Sequence, residues 1–224
     1  MGGQSPWAGP YAGSVVTMKA LAIVGAGRHG RVVAECAELL GCSRIGLFYT
    51  DTVPSERPDP WVLEGRQDAL MARRGEFDAF VVAIGDNARR LAVHSDLKAA
   101  GLEAKTLVHP RAILSAYATV GVGSVVLAGA CAVVGARLGE AVIINTAATV
   151  DHDCVLGDGV HVSPGAHLAG GVRVGERSWI GIGAVVRQGI SIGRDAVIGA
   201  GAVVVRDVAD GVTVVGNPAR PLER

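Results

Sequence analysis

The sequence has few aromatic residues, no excess charge of either sign and no long hydrophobic run. Aromatic residues make up 4% of the 224 residues, and 21 basic residues balance 21 acidic ones. A neutral chain carries no overall electrostatic signal for nucleic acid or an anionic membrane, so no nucleic-acid partner is expected. Every apolar run is well short of the ~20 residues of a membrane-spanning helix, so no membrane insertion is expected.

Cysteine is also scarce. The four cysteines, Cys36, Cys42, Cys131 and Cys154, include no CxxC pair, and a chain of this size does not need disulfides. This usage favours a reducing, cytoplasmic location. Residues 1–17 lack the basic and apolar parts of a signal peptide, and we expect a disordered extension there.

Aliphatic residues and glycine are abundant instead. Hydrophobic residues make up 50% of the chain and glycine contributes 32 positions. The high hydrophobicity argues against disorder, and the absence of a glycine at every third position argues against collagen. The core must therefore be built from Val, Ile, Leu and Ala.

Residues 18–110 alternate apolar runs with amphipathic stretches. The pattern predicts strands at 19–24, 44–48, 79–84 and near 105–108, helices at 30–40, 67–74 and 88–100, and a proline-rich loop at 53–60. The first helix should bury Val32, Val33, Cys36, Leu39 and Leu40. Strands that alternate with helices predict an α/β, Rossmann-like half domain with a parallel sheet.

From Leu114 to Val204, every sixth residue is aliphatic, without a slip in register. Four positions after each of these, from Ala118 to Val208, stands a small or branched residue. This pattern predicts a hexapeptide β-helix at 111–208, closed by a tail at 209–224. Three hexads would form one triangular coil of 18 residues with both positions pointing inward. The alternative is a Val/Gly-rich β-sandwich, which would not hold one phase over this length.

One coil breaks the hexad code with polar residues: Asn145, Thr146, Asp151, His152, Asp153 and His161. Gly170 lies one 18-residue period beyond His152, so its backbone N–H should lie on the same side. A histidine base beside an N–H donor is what acyl transfer needs, although His152 could also be a solvated turn residue. Cys154 occupies an inward position and is expected in the core rather than as a nucleophile.

A zinc site is a weaker alternative. His161 and His167 hold the same place in consecutive hexads, so they should lie on different faces and could share zinc only across subunits. No metal is expected.

The first half carries GAGRHG at 25–30, between a strand and a helix, and Asp51 lies 21 residues beyond Gly30. These residues match a dinucleotide-binding fingerprint, but the domain is about half the usual size and suits a single nucleotide better than NAD. Asn87 follows the third strand at the same carboxyl edge. The glycines could alternatively serve only to close tight turns.

Together these segments resemble a known family. The runs NTAATVDHDCVLG at 145–157 and HVSPGA at 161–166, with Gly170, are similar to acetyltransferases acting on nucleotide-linked amino sugars such as bacillosamine and perosamine. The resemblance extends to GAGRHG at 25–30, AIGDN at 83–87 with Arg90, LVH at 107–109 and VGNPA at 215–219. Sialic-acid O-acetyltransferases are relatives of this family.

The resemblance implies a left-handed β-helix and a homotrimer with acetyl-CoA, the co-substrate, between adjacent β-helices. It implies His152 as general base, Asp153 as its acidic neighbour and Gly170 as oxyanion donor. The acetyl-CoA contacts that it implies are Asn145, His161, Gly170, Ile182 and Gly199. The implied nucleotide-sugar contacts are Gly25, Gly27, His29, Gly30, Asp51, Asn87 and Arg90. Thr50 departs from a related pattern with two acidic residues at the end of the second strand.

Several hypotheses remain open at this point. The leading one is an N-acetyltransferase acting on a UDP-, GDP- or dTDP-linked 4-amino-deoxysugar. The others are a sugar O-acetyltransferase of the sialic-acid type, a non-catalytic trimeric scaffold that binds nucleotide sugars, and an NAD-dependent oxidoreductase. From the residues alone, either Asp151 or Asp153 could orient His152, because adjacent strand residues point to opposite sides.

Overall fold

A computed structural model describes residues 18–51, 53 and 58–222. The expected extension at 1–17 and residues 54–57 of the expected loop at 53–60 lie outside these residues. Among the described residues, no helix is both long and apolar enough to cross a membrane.

The first part of the chain forms a parallel sheet flanked by helices. Its strands are β1 (Ala20–Val24), β2 (Arg44–Tyr49), β3 (Val62–Arg66) and β4 (Ala79–Val82), in the order β3-β2-β1-β4. Its helices are α1 (Arg28–Leu39), α2 (Gln67–Ala72) and α3 (Asn87–Ala99), with a 3₁₀ turn at Arg74–Glu76. The predicted parallel α/β domain is confirmed. Strand β3 was not predicted.

Two apolar layers cover the sheet, one on each side. Helix α1 buries Val33, Ala34, Cys36 and Ala37 against one side. The predicted buried face of this helix was partly wrong, because Val32 is 41% exposed and Leu39 57% exposed. Small residues occupy the sheet-facing side of α1, which brings the helix close to the strands.

The second part of the chain is a stack of triangular coils with three parallel sheets as its faces. Face 1 contains β5 (Leu107–Val108), β8 (Val125–Val126), β11 (Ile143–Ile144), β14 (His161–Val162), β17 (Trp179–Ile180), β20 (Val197–Ile198) and β22 (Thr213–Val215). Face 2 contains β6 (Ile113–Leu114), β9 (Cys131–Ala132), β12 (Thr149–Val150), β15 (His167–Leu168), β18 (Val185–Val186) and β21 (Val203–Val204). Face 3 contains β7 (Thr119–Val120), β10 (Arg137–Leu138), β13 (Val155–Leu156), β16 (Arg173–Val174) and β19 (Ser191–Ile192).

The aliphatic residue of each hexad and the residue four positions later are buried in the β-helix core, as predicted, with two exceptions at the start of the repeat. Each aliphatic hexad residue ends a two-residue strand and pairs with its equivalent 18 residues away, as Leu138 does with Leu156. Fourteen of the sixteen aliphatic residues are buried, all except Leu114 and Val120, and so are all sixteen residues four positions later. Cys154 belongs to this core, and its Sγ contacts the Ala169 carbonyl at 3.2 Å.

Parallel pairing begins earlier and ends later than predicted. The predicted strand near 105–108 is divided between the two parts of the chain: Ala104 forms a parallel bridge with Phe80 of β4, and β5 then pairs with β8 on face 1. At the other end, β22 pairs with β20, and β23 (Arg220–Pro221) folds back antiparallel on β22. The left hand of the β-helix stays a prediction.

Candidate active site

His152 lies at the corner between faces 2 and 3, in the turn after β12. Asp153 follows it with φ of 60°, a left-handed conformation, and its side chain turns back toward the imidazole. Asp153 Oδ2 lies 2.9 Å from His152 Nδ1. Asp151 Oδ1 instead accepts a hydrogen bond from the His152 backbone N–H at 2.8 Å. The turn geometry therefore brings Asp153, rather than Asp151, into contact with the ring.

The acidic neighbours make His152 a stronger base. The hydrogen bond to Asp153 raises the pKa of His152 above its usual value of about 6.5, and the charges of Asp151 and Asp153 add to this shift. Because the Asp153 carboxylate accepts from Nδ1, the neutral ring carries its proton there and presents an Nε2 lone pair. The His152 side chain is 59% exposed, so Nε2 is accessible to a substrate.

Gly170 lies one coil beyond His152 at the same corner. A Cβ at Gly170 would collide with His152 Nε2, so the ring lies directly over the glycine. The neighbouring Gly171 N–H donates to the His152 carbonyl at 2.8 Å. Among the residues that the structure describes, none accepts from the Gly170 N–H. This geometry places an available N–H donor beside the basic nitrogen.

A second cluster lies on face 1 and at the corner between faces 1 and 2. Asn145 Nδ2 lies 3.1 Å from His161 Nε2. The His161 ring stacks on Trp179 with centroids 5.6 Å apart and lies 6.4 Å from the ring of His29 at the start of α1. Trp179 Nε1 donates to Ser163 Oγ at 2.6 Å. Trp179 and Ser163 were not predicted as site residues, because they occupy regular hexad positions.

The two stacked histidines are uncharged near neutral pH. Burial, followed by the charges of Arg90 and His29, lowers the pKa of His161 to about 3. Burial, followed by the charge of Arg90, lowers the pKa of His29 to about 4. Asn145 Oδ1 accepts from the Thr146 N–H, so its amide donates to His161 Nε2 and leaves the ring proton on Nδ1. His161 Nδ1 and His29 Nε2 are buried without a partner among the described residues.

The His152 corner and the His161 cluster do not meet within one chain. His161 starts a strand of face 1, whereas His152 lies at the corner between faces 2 and 3. In a triangular coil, that corner is opposite face 1. A site that used both histidines would therefore need two copies of the chain.

A cleft opens at the carboxyl edge of the first sheet, with a volume of about 350 Å³. Its walls are formed by residues 25–29, 49–51 and 83–85. Gly30 lies just beneath, where a Cβ would overlap the Gly25 carbonyl oxygen. Asp51 lines the cleft, as predicted from its spacing, and its Oδ1 accepts from Arg89 Nη2 at 2.7 Å. Neither Tyr49 as a wall residue nor Arg89 as the partner of Asp51 was predicted from the sequence.

The comparisons with known proteins agree with this arrangement. The PglD N-terminal domain family model matches residues 20–97, and the six-repeat bacterial transferase hexapeptide model matches residues 171–206. The acetyltransferase domain of PglB from Neisseria gonorrhoeae, solved with acetyl coenzyme A, is 44% identical. The match covers 91% of this chain and 99% of that one, with a TM-score of 0.86. The chain belongs to the hexapeptide-repeat family of nucleotide-amino-sugar acetyltransferases.

Two further relatives are similar to this chain over different spans. A histidine-to-asparagine variant of perosamine N-acetyltransferase from Caulobacter crescentus, solved with CoA and GDP-perosamine, is 37% identical. It covers 92% of this chain and 97% of its own, with a TM-score of 0.85. UDP-N-acetylbacillosamine N-acetyltransferase from Bacillus subtilis is 38% identical over 113 residues, which are 50% of this chain and 52% of that protein. The match thus spans about half the length of this curated relative.

The structure places Asn87 and Arg90 outside the cleft. Both are buried where α3 packs against the β-helix, and their side chains hydrogen-bond to β-helix carbonyls. Their predicted contact with the substrate is therefore not supported by their positions. The other predicted contacts in the first domain, Gly25, Gly27 and His29, line the cleft.

Three of the five predicted acetyl-CoA contacts align along one edge of the β-helix, whereas Gly170 lies at the corner between faces 2 and 3 and His161 lies in a strand of face 1. Asn145 and Gly199 are three 18-residue periods apart at the corner between faces 1 and 2, and the exposed Ile182 lies at the same corner. A Cβ at Gly199 would meet Val215, so close packing with the tail accounts for this glycine.

The predicted separation of His161 and His167 is confirmed, because they lie on faces 1 and 2 respectively. Thr149 Oγ1 lies 2.9 Å from His167 Nδ1. Among the described residues, no group of three or more His, Cys, Asp or Glu side chains could hold a metal ion.

Proposed function

We propose that this protein transfers the acetyl group of acetyl-CoA to the amine of a nucleotide-linked 4-amino-deoxysugar, with His152 as general base. The observation that carries the proposal is the His152–Asp153 pair lying over Gly170. It supplies a proton acceptor and an N–H donor at one point, as direct acyl transfer requires. The family's relatives with bound CoA and GDP-perosamine support the choice of substrates.

The chemistry follows from the two nitrogen groups at this corner. His152 Nε2 removes a proton from the amine as its nitrogen attacks the thioester carbonyl. The Gly170 N–H donates to the oxyanion that forms on the carbonyl oxygen. When the C–S bond breaks, the imidazolium returns the proton to the departing thiolate. Asp153 stabilises the imidazolium and keeps Nε2 directed at the substrate. No covalent acyl-enzyme is needed, and Cys154 stays in the core.

The proposed active form is a homotrimer in which neighbouring chains share each site. One chain would provide the His152 corner, and its neighbour would provide Asn145 and His161. The separation of these residues within one chain supports this proposal. The neutral His161 ring would place no charge beside the uncharged acetyl group. The four free cysteines fit a reducing, cytoplasmic compartment.

The nucleotide part of the substrate would occupy the cleft at the edge of the first sheet. The Gly25–Gly30 turn leads into the N-terminus of α1, where backbone N–H groups and the helix dipole favour a diphosphate. Asp51 would accept hydrogen bonds from the ribose hydroxyls. Its ion pair with Arg89 would then compete with the ribose or be rearranged on binding.

The experiment is an acceptor panel. Acetyl-CoA is mixed with UDP-, GDP- and dTDP-linked 4-amino sugars, and the position of acetylation is determined by NMR. The proposal expects one 4-amino sugar to be acetylated on nitrogen. An acetyl group on oxygen would favour the sialic-acid-type alternative, and acetyl-CoA that fails to bind would favour the scaffold.

Site sharing has a separate test by subunit mixing. His152→Ala and His161→Ala variants should each be inactive alone. After unfolding and refolding together, they should regain activity, because some sites would combine an intact His152 with an intact His161. Mixed oligomers without activity would contradict the shared site.

A further inference from the structure

Helix α3 lies along the β-helix corner between faces 3 and 1. Four corner residues at 18-residue spacing, Gly123, Ala141, Gly159 and Arg177, contact its successive turns. A helical turn rises 5.4 Å and neighbouring strands are about 4.8 Å apart, so each turn of the helix meets about one coil. This match fixes the height of α3 along the β-helix.

Arg90 forms the centre of this contact. Its Nε donates to the Ala141 carbonyl at 2.9 Å, and Nη2 donates to the Gly159 carbonyl at 2.6 Å. On the other side, Nη1 donates to the carbonyls of Ile84 at 3.0 Å and Gly85 at 3.4 Å. Ile84 and Gly85 are walls of the cleft. One fully buried guanidinium thus connects two coils of the β-helix to the cleft wall.

Asn87 makes the equivalent contact one turn nearer the cleft. Its Nδ2 donates to the carbonyls of Arg177 at 2.8 Å and Ser178 at 3.1 Å. Only Asp86 separates Asn87 from the cleft wall. Because these two side chains are buried and bonded to backbone carbonyls, a shift of the cleft along the β-helix would leave a buried charge or amide unsatisfied.

Acyl transfer is sensitive to the position of the attacking atom. The proposed base, oxyanion donor and His161 all lie on β-helices, whereas the nucleotide cleft lies on the α/β domain. A displacement of about 1 Å between reacting groups can cost on the order of 10²-fold in rate. Whatever fixes the cleft on the β-helix therefore also fixes the amine relative to the thioester.

We infer that Asn87 and Arg90 are positioning residues for acetyl transfer, which hold the cleft in register with the β-helix and do not touch the substrate. The inference rests on the proposed function, because it assigns these residues to the same reaction. It also explains why Asn87 and Arg90 lie outside the cleft although their segment adjoins it.

The test compares Arg90→Lys and Asn87→Ser with wild type. An ammonium group keeps the charge but does not span four carbonyls, and serine does not reach the two carbonyls that Asn87 engages. We expect kcat per CoA-binding site to fall by about 10- to 100-fold in Arg90→Lys, with a smaller fall in Asn87→Ser. The dissociation constants of acetyl-CoA and of the nucleoside diphosphate (UDP, GDP or dTDP) whose amino sugar wild type accepts, measured by calorimetry, should stay within about twofold, because neither substitution changes a cleft-lining residue or a predicted acetyl-CoA contact.

Val93→Ala is the matched control. Val93 is buried on α3, packed against the sheet with Phe80 and Val82. Its truncation should lower the melting temperature without changing kcat per CoA-binding site. If Arg90→Lys does not fold, Asn87→Ser carries the test. Unchanged kcat in the folded variants would overturn the positioning role, while the proposed function would fall only if wild type acetylated no nucleotide amino sugar.

Discussion

Replacing Gly170 with alanine separates the activity of the proposed site from the stability of the fold. The added methyl group would collide with His152 Nε2 and Cε1. Because His152 is an exposed side chain, the ring can rotate away, but this movement breaks its contact with Asp153. Gly170 does not adopt a left-handed φ, so alanine fits the backbone.

The expected magnitudes differ sharply between the two properties. Losing a positioned general base costs about 10²–10⁴-fold in turnover, and kcat should fall within or near this range. Stability should change little or rise by roughly 0.4–1 kcal/mol, because alanine restricts the unfolded chain more than glycine does.

The neighbouring glycine supplies the control. Gly171 has φ of 71°, where alanine costs roughly 1–2 kcal/mol, and its Cβ would reach only Gly189 at 4.0 Å. Gly171→Ala should therefore lose stability and retain most turnover. The two variants are compared by urea unfolding and by thiol release from acetyl-CoA. Normal turnover in folded Gly170→Ala would refute the assigned roles of His152 and Gly170.

Three further predictions concern individual side chains. Asp153→Asn should lower the pKa of His152, so the acidic limb of the kcat/KM profile should move to lower pH while the plateau falls; an unmoved limb would contradict the base assignment. In ¹⁵N NMR spectra, His161 should keep a neutral ring between pH 5 and 8, and titration in that range would contradict its burial. Cys154→Ala should cost roughly 1 kcal/mol of stability and leave turnover unchanged, and loss of turnover at full folding would reopen a nucleophilic role.

The β-helix could be predicted almost completely, because each hexad repeats the same packing problem. Each hexad places one aliphatic residue in its strand and one small or branched residue at the corner that follows. These two positions predict which residues form each face, the 18-residue length of a coil and the residues of the core. The contact between His152 and Gly170 follows from the same period of 18 residues. The contact with Asp153 does not, because it depends on a left-handed turn that a non-glycine residue adopts.

Strand β3 could not be predicted, because it lies at the sheet edge, is only partly buried and therefore lacks an apolar run.

Contacts between the two parts of the chain could not be predicted either. The segment of Asn87 and Arg90 adjoins the expected cleft, which suggested substrate contacts, but α3 turns both side chains toward the β-helix. Trp179 and Ser163 look like ordinary hexad residues until His161 is placed beside them.

The most direct test of the account is thiol release from acetyl-CoA by wild type and His152→Ala with the 4-amino sugar that wild type accepts. We expect steady turnover for wild type and a loss of about 10²–10⁴-fold for the variant, with acetyl-CoA binding retained. Turnover by the variant at the wild-type rate would contradict the central claim that His152 is the base.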